Sequence, residues 1–164
     1  MSNYERRIVV DLEFETAVGE ASRLIRKEGL TIIGRIDVRD RFDRDLSNDP
    51  RRSVLIDAWS SKLAVDALRH NLDVAPALPI TFALYELPDG ETAVVAKEPL
   101  APYTSNAEWR RDLPELAALA DEEAEDAARV FAALKQRSGS RTPRRAARTP
   151  RRAGGPGQPF SVRH

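Results

Sequence analysis

LPITFALYEL (residues 78–87) and ETAVVAK (residues 91–97) are two apolar runs separated by Pro88, Asp89 and Gly90. Both runs have strand length and are rich in β-branched or aromatic side chains, and Asp-Gly tolerates the positive φ angles that tight turns require. They predict a β-hairpin, so the chain contains an antiparallel sheet. Working outward, SVLIDAW (Ser53–Trp59) predicts a further strand, and IVVDLEF (residues 8–14) places Ile8, Val10, Leu12 and Phe14 at period two, as a strand with one buried face does. LTIIGRIDV (residues 30–38) also reads as a strand, with Gly34 marking a bulge or a close backbone approach.

Helices fill the gaps. From Thr16, the residues Ala17, Val18, Ala21, Leu24 and Ile25 recur at helical spacing, and Gly29 supplies a left-handed terminator. Ser60 is suited to cap a short helix through Leu63, Ala64, Ala67 and Leu68. After the turn-like EPLAPYTSN, residues 114–136 form a long helix whose stripe of Leu116, Ala120, Ala124, Ala127, Phe131 and Leu134 packs on the sheet. That placement turns Asp121, Glu122, Glu125 and Asp126 outward. Residues 39–52, dense in Arg and Asp, read as a loop in which Phe42 and Leu46 anchor at most one helical turn. The fold class is therefore α+β: an antiparallel sheet of about five strands with helices packed on one face.

Charge divides the chain. Its 26 basic and 26 acidic residues cancel, yet nine of the basic ones lie from Lys135 onward with no acid among them, leaving 17 against 26 and a net of −9 for the rest. The repeats RTPRRAA and RTPRRA (residues 141–153) have almost nothing apolar to offset the entropy of ordering, which predicts a disordered basic tail over residues 138–164 behind a domain of residues 1–137. Arg141, Arg144, Arg145, Arg148, Arg151 and Arg152 could neutralise nucleic-acid phosphates, with a strong salt dependence. Phosphorylation at Thr142 or Thr149 would weaken such binding. The competing readings are a solubilising extension and a tail that folds back on the acidic body.

With no cysteine, the chain has no disulfide, thiolate nucleophile or sulfur-ligated metal, and only His70 and His164 offer imidazole. No apolar run approaches the roughly 20 residues that span a bilayer. MSNYERRIVV lacks an export signal, so a cytoplasmic location with no membrane contact is expected. The remaining candidate site is Trp59, Ser60, Ser61 and Lys62, where free backbone N–H groups at a helix start could receive an anionic ligand. The plainer reading there is a capped helix beside a core tryptophan. His70, near that helix's end, reads as a surface residue, and Asp37, Asp40, Asp43, Asp45 and Asp49 lack the glycine and terminal glutamate of a calcium loop. No catalytic constellation, cofactor or metal site is expected.

The pieces KLAVDAL (residues 62–68), LPITFALYE (residues 78–86), the Asp-Gly turn and KEGLTIIGRIDV (residues 27–38) together resemble the domain of unknown function 302 family over about residues 7–136. The resemblance implies a TATA-binding-protein-like α+β domain, commonly a homodimer, with no established reaction. The family usually carries a cysteine after the third strand and another after the proline that opens the next. Here those places hold Trp59, within DAWSS, and Ile80, within LPIT, which implies a divergent member whose pocket is filled or made apolar. The expected function is a small non-catalytic binding or accessory domain for a small molecule or protein partner; the alternative is a nucleic-acid-associated protein working through its tail.

Overall fold

A computed structural model describes residues 5–38, 51–70, 72–97 and 106–139. The expected turn around Phe42 and Leu46, most of the Asp-rich segment and the basic tail from residue 140 onward lie outside them, whereas Ser138 and Gly139, expected in the tail, belong to the last helix.

Five strands, β1 (Glu5–Val10), β2 (Thr31–Asp37), β3 (Ser53–Trp59), β4 (Ile80–Glu86) and β5 (Thr92–Lys97), form one antiparallel sheet in the order β1-β5-β4-β3-β2. The β4–β5 hairpin is present. Leu87 and Glu91 close a loop of Pro88, Asp89 and Gly90, in which the Gly90 N–H donates to the Leu87 carbonyl and the Asp89 carboxylate accepts from the Glu91 N–H. Positive φ falls on Gly90 alone, at 85°, and not on Asp89. The turn is thus a proline-started turn followed by a left-handed glycine, which suits a three-residue hairpin loop. Gly34 also acts as read: the β2–β3 register shifts between Ile32 and Gly34.

Helix α1 (Phe14–Lys27) starts earlier than its apolar spacing predicts, and β1 ends earlier. Glu13 explains both, because its carboxylate accepts the Thr16 N–H and caps the helix. Leu12 and Phe14 remain buried, so their period-two spacing reflects burial at a strand-to-helix turn rather than a continued strand. At the other end Gly29, with φ of 91°, lets its own N–H reach the Arg26 carbonyl and the Leu30 N–H reach that of Ile25.

Three more helices follow: α2 (Ser61–His70), α3 (Ala107–Asp112) and α4 (Pro114–Gly139), with a 3-10 turn at Leu72–Ala77. The 3-10 turn and α3, which Asn106 caps through bonds from Glu108 and Trp109, were not anticipated. Helix α4 serves two cores instead of laying one stripe on the sheet. Its second half, with Ala127, Val130, Phe131 and Leu134, packs with α1 against Val54, Ile56, Phe82, Leu84 and Val94. Its first half, with Leu116, Leu119 and Ala120, packs against Leu63, Ala64 and Ala67 of α2 and against Leu78. Asp126 is not outward: it is 9% exposed, while Ala124, expected in the stripe, is only half-buried.

Candidate functional site

Ser60 is the single residue between the end of β3 and the start of α2. Its Oγ accepts the Leu63 N–H at 3.3 Å and its carbonyl accepts the Ala64 N–H at 2.9 Å, so it caps α2 as its position suggests. The other nominated residues diverge. Ser61 Oγ lies 2.9 Å from Thr31 Oγ1, Lys62 extends to Glu122 at 3.9 Å, and Trp59 packs half-buried against the α2–α4 core. They adjoin along the chain and do not converge on a common point.

What the helix start holds instead is a carboxylate of this chain. The Ser60 N–H donates to Glu123 Oε1 at 2.6 Å, from a side chain on α4 that is 3% exposed. The internal acid occupies the position predicted for an anionic ligand. Burial pushes the Glu123 carboxyl up to about 7; the Ser60 N–H pulls it down and the Asp126 charge pushes it further up. Asp126, also raised by burial, is bonded to Arg129, which reaches Glu28 at the end of α1 at 3.1 Å.

Sequence reading missed Glu123, although its spacing was available. A stripe traced 116, 120, 123, 127, 130 and 134 keeps the 4-3 alternation of one helical face and passes through this acid rather than through Ala124.

Ile80, where the resemblance leads one to expect a cysteine, is 1% exposed in the sheet core. A shallow cavity of about 210 Å³ lies at the α3–α4 turn, lined by Asp112, Leu113, Pro114, Glu115 and Leu116, and none of the nominated residues borders it. Among the described residues no three His, Asp or Glu side chains form a group able to hold a metal ion. No helix among them is long and apolar enough to cross a membrane. The His70 side chain and the arginines at 141, 144, 145, 148, 151 and 152 are outside the described parts, as are Asp40, Asp43, Asp45 and Asp49.

The sequence model of the family described as "Domain of unknown function DUF302" matches residues 7–134. The chain belongs to the DUF302 family. A solved member, the crystal structure of an uncharacterized conserved DUF302 protein from Bacillus stearothermophilus, superposes with a TM-score of 0.60 at 18% identity, covering 84% of this chain and 99% of that one. At that identity the likeness speaks for the fold. No curated protein matches. The present chain is a DUF302 domain without cysteine, and its family supplies no reaction to carry over.

Proposed function

We propose that this DUF302 domain is a non-catalytic binding or accessory module that pairs with a second copy of itself and serves a small-molecule or protein partner. The observation that carries the reading is the sheet face opposite the helices. Following the register, Arg7, Val95, Ala83, Leu55 and Ile36 form one row across all five strands, apolar except at one end. Val9 and Ile36 on this face are 38% and 37% exposed. A neighbouring row carries Lys97, Thr81, Asp57 and Gly34, with the Thr81 hydroxyl donating to Asp57 at 2.6 Å.

Central strand β4 supports self-pairing. A two-fold axis along it, between stacked faces, sets β5 of one copy over β3 of the other. Lys97 then meets the second copy's Asp57, and Val95 meets its Leu55. Sheets stacked this way bury their apolar rows about 10 Å apart, and opposite charges in register select that alignment.

Sedimentation equilibrium tests it. The expected mass is twice the 18.3 kDa chain; Lys97→Asp weakens association and Asp57→Lys added to it restores association. A monomer at every concentration would refute the pairing, and turnover of a substrate by the purified protein would refute the non-catalytic reading.

A second reading, polyanion binding by the tail, gains support from the acidic face of α4. Asp121 is bonded to Arg110 at 2.6 Å, Glu122 lies 3.9 Å from Lys62, and Glu125 lies 3.9 Å from Arg129. Cations of the folded body already serve these acids, which leaves the tail's charge for other partners. A mobility-shift titration with and without residues 138–164 decides it: equal affinity for a DNA duplex excludes the tail.

A further inference from the structure

Glu123 plays no part in the pairing face, yet its position is unusual enough to require an account. A glutamate 3% exposed joins α4 to the β3–α2 junction through one backbone N–H, about one helical turn beyond Ala120 of the apolar cluster that also holds Leu63, Ala64, Ala67, Leu116 and Leu119. The protonated carboxyl fits this place. Its carbonyl oxygen accepts the Ser60 N–H, and no charge is withdrawn from water. The carboxylate form keeps that bond but must leave its hydration behind, beside the negative Asp126.

We propose that the α2–α4 junction is a proton-operated latch: with its proton, Glu123 holds Ser60 and α2 against α4, and on losing it Glu123 draws water into the junction and releases them.

The surrounding charges place the control on Glu123. On α2, Lys62 reaches Glu122, and Arg69 reaches Asp66. On α3, Arg110 holds Asp121, Arg111 holds Asp112, and Glu108 is exposed. On α4 itself, Asp126 is held by Arg129, which also reaches Glu28 of the α1 terminus and Glu125. Among the described residues, each of these acids except the exposed Glu108 has a cationic partner, whereas Glu123 has only the Ser60 N–H, and burial puts its carboxyl at about 7. A histidine imidazole ordinarily changes charge between pH 5 and 8, so the contribution of His70, the last residue of α2, is separated by substitution.

The chain provides its own reporters. Its two tryptophans, Trp59 and Trp109, both pack against this cluster. The test is intrinsic tryptophan emission of the full chain between pH 5 and 9. Expected is a red shift on raising the pH, with a midpoint near 7 and the steepness of one proton, about 9% to 91% complete over two pH units. Glu123→Gln, which keeps the acceptor and cannot ionise, abolishes the shift and leaves the emission of the acid form. His70→Gln retains the shift, and Asp126→Asn moves its midpoint to lower pH. The proposal is overturned if the wild-type emission does not change with pH, if Glu123→Gln shifts as the wild type does, or if His70→Gln removes the shift. Should Glu123→Gln fail to fold, an unmoved midpoint in Asp126→Asn overturns it.

Discussion

Arg52 gathers acids from two elements. It reaches Glu13 at 3.1 Å and Glu15 at 3.5 Å at the start of α1 and Glu86 of β4 at 3.0 Å, with its guanidinium 4.9 Å from the Phe14 ring centre. Hydrogen bonds from Arg52 hold the Glu13 and Glu86 carboxyls below their ordinary 4.5, the opposite of what burial does to Glu123. The signs give two limbs. Stability from Glu13 and Glu86 is present above 4.5 and is lost as pH falls through their lowered values. Stability from Glu123 is full below 4.5 and is lost as pH rises through about 7. These three carboxyls together favour a maximum near 4.5, and calorimetric melting across pH is expected to show Arg52→Met flattening the acid limb and Glu123→Gln the neutral one. Because all the partners of Arg52 are partly solvated, its replacement costs about 1 kcal/mol at neutral pH.

At the scale of elements, Gly29 and Gly90, both at positive φ, end α1 and close the β4–β5 loop. Gly29→Ala or Gly90→Ala each costs roughly 1 kcal/mol, since a Cβ opposes positive φ; urea midpoints measure it. Phe131, 5% exposed and stacked on Phe82 with ring centres 6.1 Å apart, couples α4 to the sheet. Phe131→Ala is expected to cost about 3–5 kcal/mol. The hairpin and α1 were legible because turn chemistry and apolar period agree there. By contrast, α3 has no buried residue and the 3-10 turn is six residues long, so neither imposes a period on the sequence. The candidate site was legible in outline only. Ser60 advertised its cap, but the ligand of its N–H comes from 63 positions away, and no local pattern joins Ser60 to Glu123.

Across the whole molecule, α4 ties the two cores together and then fastens its last turn to β1's end. The Asp11 N–H donates to Ser138 Oγ at 2.7 Å, so the helix contributes to the fold beyond residue 137. A chain ending at 139 is expected to melt like the full one, whereas a chain ending at 137 loses that bond and about 1 kcal/mol; parallel thermal melts compare the two. The sheet's outermost strands have a further consequence. Strand β2 departs from regular spacing at Ile32 and Gly34, and β1 presents exposed Arg6 and Arg7. A straight segment from another molecule would meet mismatched amide spacing on one side and cationic side chains on the other. Both margins are therefore poor templates for adding strands, which guards a small domain with an open sheet against growing into filaments at high concentration.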